Sequence, residues 1–344
     1  MPLPKQVDNP PNPYESWSLA WDTPPPEATL QVFEERTKSV VSENDSPDIG
    51  FRFSVNPYRG CGHGCAYCYA RPTHQYWGFG AGTDFERKII VKVDAPERLA
   101  AELRRPKLRG APIVFSGNTD CYQPLEASYR LTRGCLEACR RAGNPVGVIT
   151  KGAVIRRDID VLAALEAEVG ARVTISIAFA DDATGRAFDP HASPIGARFE
   201  TVRRLAEAGV RVGVSLAPII PGVNDSMVPA ILERARAAGA RHAFMTMLRL
   251  AREVRPVFEA RLRAALPDRA DKVLSAVREV RGGAMNDSRF GHRMRGEGER
   301  WRVIEQLFET HRRRLGFEEL SVADDLGPRP EAAGAGRRQL SIVY

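Results

Sequence analysis

Long apolar runs are missing from this sequence. Nowhere in its 344 residues do about eighteen apolar residues follow one another, so no transmembrane helix is expected. The N-terminus, MPLPKQVDNPPNPYESW, has no basic start, apolar stretch or small-residue cleavage site, so no secretory leader is expected and a cytoplasmic location follows. Cysteine is scarce. Six in a chain of this length are too few for a disulfide framework, and thiols that cluster in a reducing compartment suit metal or redox chemistry better. A concentrated basic tract is absent too: the net charge of +7 comes from arginines scattered through helical segments, which permits nucleic acid without indicating it.

What is present is an alternation. Residues 1–50 are rich in proline and polar residues (NPPNPYESW, TPPPEATL), a composition that forms no packed unit alone and predicts an extension partly disordered or draped on the main domain. Beyond it, strand-length apolar runs bounded by Gly, Pro or Asp alternate with helical stripes. The runs are IGFRFSVNP, APIVFSG, PVGVITKG, ARVTISIAF, VRVGVSLAP and RHAFMTML. Six strand-then-helix repeats predict parallel strands with right-handed crossovers and helices outside: an α/β fold, a partial (β/α)6 TIM-like barrel or, in competition, a flat doubly wound sheet. The barrel core is expected over residues 51–250, a charged helical region over 251–323 and a flexible tail over 324–344. In either architecture ligands gather at the C-terminal ends of the strands.

One of those ends carries GCGHGCAYCYA, with Cys61, Cys65 and Cys68 on a short loop whose glycines let the backbone curl around something bulky. Soft thiolates favour zinc or iron-sulfur clusters. A structural zinc site wants four ligands; there is no second CxxC, although His63 or His74 could complete a Cys3His set. A [4Fe-4S] cluster held by three thiolates leaves one iron with an open coordination position, where a ligand can bind and be reduced.

CxxxCxxC with Tyr67 just before the third cysteine, at the end of a first strand and ahead of repeated strands and helices, resembles the radical S-adenosylmethionine superfamily. The wider pattern NDSPDIG, NPYRGC, CYARPTH, TDCYQP and VITKG is similar to a bacterial branch related to spore photoproduct lyase. The resemblance implies that the cluster chelates S-adenosylmethionine, cleaves it reductively and releases a 5′-deoxyadenosyl radical that abstracts hydrogen from a substrate. It also implies an electron donor such as flavodoxin or ferredoxin.

The resemblance implies site residues as well. The superfamily's Gly-Gly-Glu-like motif after the second strand is replaced by Ser116-Gly117-Asn118-Thr119-Asp120, which leaves Thr119 and Asp120 to accept from the methionine ammonium. Lys151, ending the third strand, matches a lysine that serves the cofactor in the photoproduct lyase group. Ser176 interrupts an apolar run, and its hydroxyl needs the cofactor or a neighbour as partner. Ala217, beside Pro218, lets the backbone approach an adenine ring, and Tyr69 can stack or hydrogen bond beside the sulfonium. Cys121 is a candidate hydrogen-atom donor, although the lyase's own cysteine falls nearer Asn118. Asn224 and Asp225 read as a turn and cap, and Cys135 and Cys139, four apart on a helix, as packing.

The rival function is a binding module, stabilised by zinc or an iron-sulfur cluster, for nucleic acid. Polar residues at several strand ends favour the enzyme, since binding alone does not require them. Within the enzyme class the lyase resemblance suggests repair of a DNA photoproduct, but the sequence shows no stacking-aromatic stripe, and the substrate stays open.

Overall fold

The computed structural model describes residues 9–10, 12–14 and 29–319. The tail expected over 324–344 and part of the proline-rich extension lie outside the described residues. Ten strands are described: β1 Gln31–Glu35, β2 Val41–Glu43, β3 Phe53–Val55, β4 Tyr58–Arg59, β5 Lys88–Lys92, β6 Ile113–Phe115, β7 Val146–Thr150, β8 Ala171–Ser176, β9 Arg211–Ile219 and β10 His242–Met247.

The main sheet runs β10-β9-β8-β7-β6-β3-β2. The six strands from β3 through β10 are mutually parallel, with Val148 opposite Val173 and Val173 opposite Val212. They are the six apolar runs of the sequence. Their order decides between the two architectures. A doubly wound sheet reverses direction at a switch point, whereas here each strand lies beside its successor, the winding of a partial (β/α)6 barrel. Helices Leu131–Ala142, Ile159–Glu168, Ile195–Glu207 and Val228–Ala237 occupy the successive crossovers from β6 to β10. Strand residues such as Val148, Val173, Ile175, Val212 and Val214 are buried because both faces of a parallel sheet are covered.

Two features were not visible in the sequence. The described end of the proline-rich extension forms strands: β1 lies parallel to β5, and β2 antiparallel to β3. With β4, strands β1 and β5 make a second, three-stranded sheet in the first crossover.

A six-stranded barrel leaves a seam between its edges. After β10 come helices Val254–Ala265, Ala270–Glu279 and Gly298–Arg314. The link between the last two crosses to the other edge: Arg293 Nε pairs with Asp48, the Gly291 N–H donates to Asp48 at 2.6 Å, and Arg293 Nη2 donates to Ser46. The same link is held to β10 by the Met247 N–H, which donates to the Met294 carbonyl at 2.9 Å. Buried Arg281 donates to the carbonyls of Leu248 at 2.7 Å and Arg293 at 3.0 Å. No helix among the described residues is long and apolar enough to cross a membrane.

Candidate functional site

The cysteine loop follows β4 and is shaped from three directions. From the second sheet's side, the Cys61 N–H donates to the Phe85 carbonyl at 2.9 Å. From the β6 side, Gln123 accepts from the Gly62 N–H at 2.9 Å and donates to the Gly60 carbonyl at 3.1 Å. From the segment after β8, the Phe188 carbonyl accepts from the Ala66 N–H at 2.8 Å.

The loop is held most firmly by Arg71, whose side chain is fully buried. Its Nε and Nη2 both donate to the Cys65 carbonyl, at 3.0 and 2.8 Å, and Nη1 reaches the carbonyls of Ala81 and Gly82 at 3.0 Å. Nη2 also pairs with buried Glu86, and the guanidinium lies over the Phe85 ring. A planar fork of five N–H donors is the group that can satisfy so many acceptors from one position. Gly64 sits at φ +66°, with a would-be Cβ 3.0 Å from a Glu86 oxygen, so glycine is required there twice over.

Cys61 and Cys65 are buried and Cys68 is half-buried. Burial, then Asp189, pushes the Cys65 thiol well up, and burial, then Cys61, pushes the Cys68 thiol up to about 11. Both therefore need a cation to become thiolates. The donor set of three soft thiols on one braced loop fits an iron-sulfur cluster. The Cys3His zinc set is not assembled: His63 Nδ1 faces Asp120 at 3.3 Å, and His74 packs against Phe79 and Phe85. No three His, Cys, Asp or Glu side chains among the described residues are gathered to hold a single ion. The irons of a cluster are separate, so its thiolates need not converge on one point.

Asp120 turns out to be fully engaged. It accepts from the Tyr122 N–H at 2.8 Å, the Thr150 hydroxyl at 2.6 Å and the Lys151 N–H at 2.8 Å, with His63 as fourth partner. A carboxylate offers about four lone-pair sites, so these contacts use its capacity. Burial alone would raise its carboxyl, but His63 and these donors hold it at about 2. For His63, burial is outweighed by Asp120 and Cys61, which raise the imidazole to about 9. Asp120 thus ties the ends of β6 and β7 to the cysteine loop. Thr119 is buried and donates to the Tyr58 carbonyl at 2.8 Å.

Lys151 follows β7, its ammonium over the Tyr67 ring at 5.2 Å. Burial would lower its pKa, but Cys65 and Asp189 raise it, so it stays a cation beside the loop. Asp189 is itself buried against Arg198, which also donates to the Ser176 carbonyl at 3.1 Å. The Ser176 hydroxyl accepts from Ser215 at 3.2 Å, so a neighbouring strand supplies its partner. Ala217 lies in β9 beyond Ser215, the last residue paired to β8, and its peptide bond to Pro218 is cis. Tyr69 is half exposed and donates to the Gly117 carbonyl at 3.0 Å.

Cys121 is fully buried in the main core, its thiol beside the Ser116 hydroxyl. Cys135 and Cys139 are buried on helix Leu131–Ala142. Asn224 stands at the N-cap position of the short helix Asp225–Met227, but its side chain does not cap it. It accepts from the Ile220 N–H at 2.6 Å and donates to the carbonyls of Ala178 at 2.7 Å and Pro218 at 2.9 Å, joining the ends of β8 and β9.

Sequence reasoning missed Arg71, Glu86, Gln123, Asp189 and Arg198. Arg71 lies inside CYARPTH, and the signal available was its place three residues after the last cysteine. Gln123 lies inside TDCYQP, and Glu86, Asp189 and Arg198 come from segments with no motif of their own.

A partial barrel with three clustered cysteines on the loop between its first two parallel strands defines a class. The chain belongs to the radical SAM superfamily, an enzyme superfamily whose domain it matches over residues 55–235. Proteins of Mycobacterium tuberculosis and Mycobacterium bovis are 36% identical to it over 222 residues, 64% of this chain and 65% of theirs. A protein of Methanocaldococcus jannaschii is 24% identical over 57% of this chain and 70% of its own. The chain thus spans just under two thirds of the mycobacterial relatives' length. Among solved structures, spore photoproduct lyase complexed with a dinucleoside spore photoproduct superposes with a TM-score of 0.57 at 15% identity, covering 83% of this chain and 80% of the lyase. A mutant of that lyase with bound AdoMet and the same dinucleoside superposes with a TM-score of 0.56 at 16% identity over the same shares. These likenesses are of fold.

Proposed function

We propose that the protein holds a [4Fe-4S] cluster on Cys61, Cys65 and Cys68 and is a cytoplasmic enzyme that abstracts a hydrogen atom from its substrate. The observation that carries this reading is the set of three thiols, two buried and one half-buried, on one braced loop, with the other three cysteines placed in the core and on a helix. When bound, the cluster and S-adenosylmethionine supply the chemistry: one electron from a flavodoxin- or ferredoxin-like donor breaks the sulfonium carbon-sulfur bond, giving methionine and a 5′-deoxyadenosyl radical.

The chain's residues orient and enclose. Arg71 and Gln123 set the loop, Asp120 fixes the backbone of Lys151, and Lys151 offers its cation to the carboxylate of S-adenosylmethionine. Thr119 keeps oxygen lone pairs for the methionine ammonium, and Ala217 presents backbone to the adenine. Tyr69 lies across the mouth between Gly117 after β6 and Arg249 after β10, where it screens the reacting centre from water. Cys121 would donate hydrogen only if the packing around its buried thiol opened.

Anaerobic reconstitution with iron and sulfide tests the reading. Brown protein that cleaves S-adenosylmethionine when reduced is expected, and Cys65→Ala should lose colour and cleavage together. Colourless protein containing zinc, or a Cys65→Ala variant that keeps both properties, would overturn it.

A further inference from the structure

Several arginines inside this fold are committed to partners. Arg71 and Arg198 are paired with buried carboxylates, Arg281 donates to four backbone carbonyls, and Arg293 pairs with Asp48. Arg249, beside Tyr69, has no such hydrogen bond or ion pair among the described residues. It stands two residues beyond β10, half-buried, and its Nε is wholly buried without a hydrogen-bond partner. No hydrogen bond or ion pair reaches its guanidinium among the described residues. One face lies over the Tyr69 ring at 5.9 Å. The carboxylate that acts on it, Asp48, already takes the Gly291 N–H and Arg293, and Arg293 adds a repelling charge.

A guanidinium partly removed from water, with its buried N–H unpaired, is unfavourable unless something completes it. Its planar fork suits a two-oxygen anion, and the contact with the Tyr69 ring at 5.9 Å leaves its donors unused. Tyr69, the residue that follows Cys68, also reaches the Gly117 carbonyl, so one side chain links Arg249, the cysteine loop and the end of β6. Lys151, after β7, is the separate cation beside the cysteine loop.

We infer that Arg249 is a substrate subsite: it binds a carboxylate or phosphate group carried by the molecule that loses hydrogen. This inference rests on the radical reading above, because it takes Lys151 as the residue that meets the carboxylate of S-adenosylmethionine.

The test is arginine footprinting of the reconstituted full-length enzyme with S-adenosylmethionine bound. Phenylglyoxal modification of Arg249 is followed by peptide mass spectrometry in inorganic phosphate, acetate or chloride at equal ionic strength. Phosphate or acetate should slow modification of Arg249 several-fold over chloride, and the more protective anion identifies the substrate's group as phosphate or carboxylate. Equal rates in all three salts would overturn the subsite. So would protection by S-adenosylmethionine alone, which would give Arg249 to the cofactor. Arg249→Gln should remove the thermal shift that the protective anion produces; should that variant fail to fold, the wild-type footprint still decides. Cluster absorption and S-adenosylmethionine cleavage are measured on the same wild-type sample, so failure of the radical reading registers separately from failure of the subsite.

Discussion

The Arg71 guanidinium grips the Cys65 carbonyl twice, from Nε at 3.0 Å and from Nη2 at 2.8 Å. The loop's shape is thus imposed by a side chain that belongs to neither the metal nor the substrate. Arg71→Met leaves Glu86 without this partner and frees the carbonyls, and breaking such a buried pair costs about 3–5 kcal/mol. The variant should unfold at lower urea and bind several-fold less iron per chain. Full iron loading with an unchanged urea midpoint would refute the role.

Asn224 joins two strand ends through three hydrogen bonds. Each contributes about 0.5–1.5 kcal/mol, and the partners left behind are buried, so Asn224→Ala should cost about 2–4 kcal/mol in urea unfolding. A loss below the lower figure would mean that the ends of β8 and β9 hold without it.

At Gly152 an added Cβ would sit 2.1 Å from the Tyr122 carbonyl oxygen. Backbone cannot yield as a flexible side chain does, so Gly152→Ala should destabilise by about 1–3 kcal/mol. It should also weaken S-adenosylmethionine binding by displacing neighbouring Lys151. Equilibrium binding by the variant at wild-type affinity would contradict this.

His242 gives a pH dependence at the other end of the barrel. Burial, then the nearby charges of Arg172 and Arg211, lowers it from 6.5 to about 3, and its Nε2 lies 3.2 Å from the Thr174 hydroxyl. The folded value is depressed, so below 6.5 the unfolded chain binds a proton that the native chain refuses. Its contribution is therefore complete above 6.5 and falls as pH drops towards about 3. The limiting slope is about 1.4 kcal/mol per pH unit. Unfolding free energies of wild type and His242→Gln should converge as the pH is lowered from 7 towards 5. Parallel curves would remove His242 as the cause.

The parallel barrel was legible because strands such as β7 and β8 are buried on both faces and so write continuous apolar runs into the chain. Strand β1 was not legible, since its QVFEE is exposed almost throughout and its partner β5 lies far along the sequence. The cysteines and the strand-end residues could be picked out by spacing and position. What Asp120 does could not, because its partners His63, Thr150 and Lys151 are brought to it from two other loops. A buried arginine such as Arg71 looks in the sequence like any of the surface arginines around it.

The seam between β10 and the opposite edge is closed by Arg293 and Asp48, residues 245 positions apart. The cysteine loop is braced by Arg71, Gln123 and Asp120, none of which lies on the segment carrying Arg293. The two halves of the opening can therefore evolve independently. Lengthening or re-charging the stretch between the last two helices would alter that side of the opening while the cysteine-bearing half is inherited intact. Divergence in substrate among related chains should then concentrate in that stretch, which contributes no strand to the barrel.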